Sequence, residues 1–178
     1  MTALQQAEWV FDHVFNPENC RHYDNGVPSV FHCHHYASLY CQLADDAEQF
    51  NGRALLRRAS ELAFYPVLKK YFEEHQVEDC GDRASLAEEY WRSMGFGTLT
   101  FDWVGELSSA AHMDHSHVDE GWIKKWGNRQ KPVNFIGQGY LAAAMAAIYG
   151  LPAGSYTVFE TESIVSGAEA SRFSLVRA

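Results

Sequence analysis

The chain has 178 residues, of which 47% are apolar, 14% aromatic and 21% charged, and its formal net charge is −9. Such a composition can build a core and excludes a disordered polar chain. The acidic balance, with no basic patch to release counterions, argues against nucleic acid or an anionic membrane as the main partner. The start, MTALQQAEWVFDHVF, lacks the cationic opening and unbroken apolar run of a signal peptide. No run approaches the ~20 apolar residues needed to span a bilayer. A single cytoplasmic domain over residues 1–178 is expected, with 1–30 as an N-terminal helix and loop extension. Cys20, Cys33, Cys41 and Cys80 form no C-x-x-C pair and read as reduced thiols, most of them buried.

In chain order, residues 2–15 carry Leu4, Ala7, Phe11, Val14 and Phe15 at helical spacing, and Asn16-Pro17 ends that helix. Residues 17–30, with Asn25-Gly26 and Pro28, read as a loop. A second helix is expected from about 32 to 50 with Tyr36, Leu39, Tyr40, Leu43, Ala47 and Phe50 as its buried stripe. A third covers about 53–75 and is expected to kink or break at Pro66. A fourth runs over 82–94, with Asp82 as N-cap and Gly95 as its stop. The texture then changes. FGTLTFDWVGELSSA (96–110) is aromatic and β-branched and reads as one or two strands. VDEGWIKKW is a short helix, and PVNFIGQGYLAAAMAAIYG (132–150) is a helix opened by Pro132 and closed by Gly150, whose small residues suit very close packing. Two strands, SYTVFETES and ASRFSLVRA, close the chain around a turn at Gly167. Helices first and strands after point to an α+β fold.

The stretch GYLAAAMAAIYG…YTVFETESIVSGAEASRFSLV resembles the end of the 4-vinyl reductase domain, also called the hydrocarbon-binding domain. Its fold is shared with the ligand-sensing domains of aromatic-responsive bacterial activators. Gly139-Tyr140, Gly150, Glu160, Gly167 and Arg172-Phe173 match the family pattern, and the likeness spans roughly residues 30–178. The resemblance implies a helical layer packed on an antiparallel sheet, a pocket between the two and a homodimer. In sensor members a polar residue and a tryptophan orient an aromatic ligand; Trp103 is the best match for the tryptophan, and Tyr140 is a further ligand-binding candidate. Many members hold zinc with three cysteines and a glutamate. Those cysteine positions fall here on Asn134, Ser163 and Ser171, and only Glu160 survives. Amide and hydroxyl oxygens are poor zinc ligands beside thiolates, so the family's zinc site is expected to be absent.

Nine histidines fall largely into two clusters, VFHCHHY (30–36) and AAHMDHSHVDEGW (110–122). Helical spacing backward from Tyr36 and Leu39 puts His32 and His35 on an interior face and leaves His34 in solvent. In an extended 112–118, His115 and His117 share a face, and His112 falls with Asp114 on the other. Two imidazole pairs meeting across the pocket would suit iron or zinc. The alternatives are scattered structural histidines or a different His/Asp subset, including the short H-x-D pattern of His112 and Asp114.

Three functions remain open on the sequence. The first is a metalloenzyme acting on a small hydrophobic or aromatic substrate. In it His32, His35, His115 and His117 hold iron or zinc, and Glu160 or Asp114 transfers protons. The second is a non-catalytic sensor domain for an aromatic or tetrapyrrole-like molecule. The third is a structural adaptor like the trafficking-complex relatives of the fold. No nucleophile, Walker or dinucleotide motif is present.

Overall fold

A computed structural model describes residues 9–178. The first elements of the described part form a small antiparallel sheet in the order β1-β2-β3, from β1 (His13–Asn16), β2 (Arg21–Asp24) and β3 (Val27–Ser29). The helix expected over 2–15 is therefore not found from residue 9 onward, and residues 1–8 lie outside the described part. The loop expected over 17–30 is instead two strands. The reason is local: Asn25 and Gly26 both have positive φ, 48° and 77°. Asp24 pairs with Val27 across them, which is the two-residue hairpin turn that Asn-Gly favours.

Helix α1 (His34–Asp46) continues into a 3-10 turn at Glu48–Phe50. Its expected face is reversed. Ala37, Ser38, Cys41 and Ala44 are buried, whereas Tyr36 (54% exposed), Tyr40 (49%) and Leu43 (56%) point outward. Small residues win the inner face because α1 lies close to a neighbouring helix and to Val118, Trp122 and Phe135, and a large side chain would hold the backbones apart. Of the cysteines, only Cys41 is fully buried; Cys20 and Cys33 are exposed, and all four are free.

Helix α2 (Gly52–Glu74) runs unbroken through Pro66. Proline in a helix interior costs ~3 kcal/mol, but Pro66 faces out while Leu68, Tyr71 and Phe72 beyond it are buried in the main core. Burying such side chains contributes ~1.5–3 kcal/mol each, which outweighs the lost bond. Helix α3 (Cys80–Ser93) is capped by Asp79, three residues before the expected Asp82, with Oδ1 accepting from Gly81 N and Asp82 N. Gly95 follows its end at φ +78°, as the stop signal requires.

The second sheet is antiparallel throughout, in the order β4-β5-β7-β6, from β4 (Thr100–Trp103), β5 (Ser108–Met113), β6 (Tyr156–Glu162) and β7 (Ser171–Arg177). Strand alternation turns Ser109, Ala111 and Met113 of β5 and Ser171, Phe173 and Leu175 of β7 inward. Helix α4 (His117–Trp126) crosses from β5 toward α1, and helix α5 (Phe135–Ile148) is buried along almost its whole length between α2, α3 and the sheet. Close approach is built in at Gly139, where an added Cβ would sit 2.3 Å from the Arg57 carbonyl oxygen and 2.6 Å from Ser60 Cβ. The result is five helices packed on an antiparallel sheet, the α+β arrangement expected. No helix among the described residues is long and apolar enough to cross a membrane.

Candidate functional site

The 112–118 segment is not extended throughout. β5 ends at Met113, Ser116 caps α4 by accepting from Asp119 N, and His117 is the first helical residue. His115 and His117 therefore do not share a strand face. The His115 side chain is 75% exposed and pairs with Glu120 at 3.3 Å. His32 and His35, expected on an interior face, are both exposed, and the His35 ring lies edge-on to His34 at 4.3 Å. His32 does reach His117, with ring centroids 5.6 Å apart, and His34 joins them at 5.9 Å. Helical spacing puts His34 in solvent; in the structure its Nε2 is buried with no hydrogen-bond partner among the described residues. Burial pushes the His117 pKa down, and His32 and His34 add to that. So two of the four expected ligands come together, with a different third. Among the described residues, no group of three or more His, Cys, Asp or Glu is arranged to hold a metal ion.

His112 Nδ1 lies 2.7 Å from Asp102 on the neighbouring strand, while Asp114 is 62% exposed and 3.8 Å from His112 Nε2. Neither lines the cavities described below. Trp103 stands on the edge strand β4, half exposed. Tyr140 is fully buried and donates to the Ala87 carbonyl at 2.5 Å, with its ring 4.6 Å from Trp91. Phe64, Tyr90 and Trp91 pack around it, with Phe96 stacked on Trp91, so aromatic side chains occupy this part of the space between helices and sheet.

The family's zinc position is a buried polar cluster. Asn134 caps α5 by accepting from Gly137 N at 2.8 Å, and its Nδ2 donates to Ser116 Oγ and Asp119 Oδ2, both at 3.1 Å. Ser171 Oγ lies 3.4 Å from Asp119 Oδ2. Glu160, on β6, accepts at Oε2 from Gln138 Nε2 at 3.1 Å. Asp119 Oδ1, Glu160 Oε1 and Ser163 Oγ are buried without a partner among the described residues. Zinc does not fit this set. Oxygens stand where thiolates would be needed, and the Asn134 amide turns N–H groups toward the centre, which repel a cation. Burial pushes the Glu160 carboxyl well up, and the nearby Asp119 charge raises it further. Burial also raises Asp119, against hydrogen bonds from Ser116, Asn134 and Ser171. Two carboxylates in one dry site do not both ionise readily. Asp119 is the better-held anion, because it sits in the first turn of α4 and takes the amide that caps α5, close to the positive ends of both helices. The site reading from sequence omits Asp119; its signal is S-x-x-D, the Ser116 cap with an acid three residues on.

Space for a ligand opens elsewhere. A cavity of about 450 Å³ lies between the N-terminal sheet and helices α2 and α3, walled by Trp9, Val67, Tyr71, Tyr90 and Met94. A second, of about 410 Å³, shares Phe11, Asp24, Val27, Ser29 and Met94 with it and extends to His22, Phe31, His32, Phe96 and His117. Trp9 stacks on Tyr71 at 3.9 Å and tilts against Tyr90 at 4.7 Å. The segment is tied down by Trp9 N donating to Glu89 Oε2 at 2.7 Å and Val10 N to Tyr71 OH at 3.0 Å. A pocket of this size, largely apolar with a few polar groups, suits a small molecule. Sequence reading misses it because its outer wall is the hairpin that reads as a loop.

Fold and geometry together define an α+β domain of five helices on an antiparallel four-stranded sheet, with paired cavities under an N-terminal hairpin. The phenol-responsive sensory domain of the transcription activator PoxR, solved with phenol, has a similar structure: TM-score 0.77 at 14% identity, over 93% of this chain and 84% of that one. Trafficking protein particle complex subunit 3 from Naegleria fowleri, covalently bound to palmitic acid, gives 0.50 at 9% identity over 80% and 95%. A vinyl-4-reductase family protein from Methanocaldococcus jannaschii gives 0.42 at 13% over 81% and 92%. At these identities the likeness is one of fold, and the relation to aromatic-sensor domains read from the sequence is borne out at that level. No protein-family model matches the sequence, and no curated protein matches it.

Proposed function

We infer that the chain is a non-catalytic ligand-binding domain for a small apolar or aromatic molecule. The observation that carries this reading is the pair of adjoining cavities, about 450 and 410 Å³, walled by Trp9, Phe11, Tyr71, Tyr90, Met94 and Phe96. The phenol bound by the PoxR domain supports the same ligand class. An apolar guest here would bury its surface against aromatic side chains, worth roughly 25 cal/mol per Å² before the costs of ordering. It would also bridge the N-terminal hairpin to α2 and α3. The hairpin is the element a ligand would order, and so the element through which occupancy would be signalled to a partner.

The metalloenzyme reading is the weaker one, since three of its four histidines, His32, His35 and His115, face solvent and Asp114 stands outside the cavities. The test is Met94→Trp, which fills the wall common to both cavities. We expect naphthalene to raise the Tm of the wild type and not of this variant, with the circular dichroism of the free proteins alike. Equal stabilisation of both, or of neither, contradicts the reading.

A further inference from the structure

His13, His22 and Asp24 share one face of the N-terminal sheet. The register sets His13 opposite Asp24 and His22 opposite Phe15, so alternation brings these side chains to the same side. His13 Nδ1 lies 2.5 Å from Asp24 Oδ1, and His13 Nε2 lies 3.1 Å from His22 Nδ1. An ionised carboxylate only accepts, so His13 donates from Nδ1. With that ring neutral, its other nitrogen is an acceptor, and His22 donates to it from Nδ1. The other His22 ring atom, Nε2, has no partner among the described residues and then carries a bare lone pair.

His22 lines the second cavity beside Phe11, Phe31 and Phe96. Its ring is 4.8 Å from Phe15 and edge-on to Phe31 at 4.9 Å, which fixes its plane. The remaining titratable groups on that cavity's wall are Asp24 itself and, from the opposite side, His32 and His117. A carboxylate behind a histidine sets the tautomer and makes the outward nitrogen a better acceptor, as in metal sites where the same pairing orients a ligand ring.

We propose that Asp24, His13 and His22 form a hydrogen-bond relay that presents His22 Nε2 to the second cavity as the acceptor for a flat apolar ligand bearing one hydroxyl or amine donor. The proposal rests on the ligand-binding reading above and adds the polar end of the ligand and where it docks. Selectivity follows from chemistry: a ligand that covers the acceptor without donating to it leaves a buried lone pair unpaired, and is rejected relative to one that donates.

The experiment is titration calorimetry with 2-naphthol and its methyl ether, 2-methoxynaphthalene, on the wild type and His22→Phe. The ether has the same ring and no donor; phenylalanine keeps the ring of residue 22 and removes the acceptor. We expect 2-naphthol to bind the wild type about threefold to tenfold more tightly than the ether, the range one net hydrogen bond supplies. In His22→Phe both should bind with the ether's affinity. Equal affinities in the wild type, or a preference that survives in His22→Phe, overturns the relay and leaves the ligand-binding reading standing. Binding of neither compound overturns both. A second readout is independent of ligand: the long-range ¹H–¹⁵N spectrum should place the proton of neutral His22 on Nδ1, and a proton on Nε2 overturns the relay.

Discussion

The Asn134 side chain joins the N-termini of two helices: its oxygen accepts from Gly137 N in α5 while its Nδ2 donates at 3.1 Å to Asp119 Oδ2 in α4. An amide that turns N–H groups inward cannot also be a cation ligand. The buried acids here must be neutralised in another way, and a proton on Glu160 does it.

That gives a sign to the pH dependence. The folded-state pKa of Glu160 is raised above its ordinary value of 4.5. The stability tied to its proton is complete below that ordinary value and is lost as pH rises through the folded value. Glu160→Gln, which imitates the protonated acid, should flatten the loss of urea stability measured between about pH 5 and about pH 9. It should also leave the protein no less stable at the upper end. Added zinc should raise the Tm of neither form. A zinc-dependent rise that Glu160→Gln abolishes would contradict the cluster as described.

Close packing of α5 on α2 sets a second expectation. Gly139→Ala places a methyl 2.3 Å from the Arg57 carbonyl oxygen, a backbone atom that cannot swing away. Alanine gains up to ~1 kcal/mol of helix propensity, but overpacking costs ~1–3 kcal/mol. Denaturant unfolding should show a net loss, and a more stable variant would mean that the helices sit farther apart.

The reversal of α1 is tested in the same way. Leu43 is exposed and Cys41 fully buried, so Leu43→Ser should change stability by no more than about 0.5 kcal/mol. Cys41→Leu should cost ~1–3 kcal/mol through overpacking against Trp122 and Phe135. The opposite ranking in urea midpoints would restore the sequence-derived face.

Tyr140→Phe removes one buried hydrogen bond, to Ala87 O, and leaves the ring packing in place. A loss of about 0.5–1.5 kcal/mol in urea unfolding is expected. A much larger loss would mean that the hydroxyl has a second role in the core.

The fold is legible in the sequence where local signals agree with tertiary packing. Pro132 and Gly150 bracket α5, Gly95 ends α3, and the β-branched and aromatic runs after residue 96 form strands. The α1 face is not legible from size alone, because a close helix contact selects Ala37, Cys41 and Ala44 over Tyr40 and Leu43. The pairing of His115 with His117 fails because alternation does not extend past Met113, where the Ser116 cap begins a helix. The N-terminal sheet is hidden by a helical spacing of apolar residues and by an Asn25-Gly26 pair that serves loops and hairpin turns alike. Asp24, His13 and His22 meet only once β1 and β2 pair, so no spacing along the chain announces them.

The ligand site itself is tested most directly by methionine methyl NMR during titration with naphthalene. Met94 lines both cavities, whereas Met113 and Met145 are fully buried in the core between helices and sheet. The Met94 methyl should shift and saturate, with Met113 and Met145 unmoved. Shifts at Met113 or Met145 with Met94 unchanged would place the ligand between the helical layer and the sheet, and would contradict the site described.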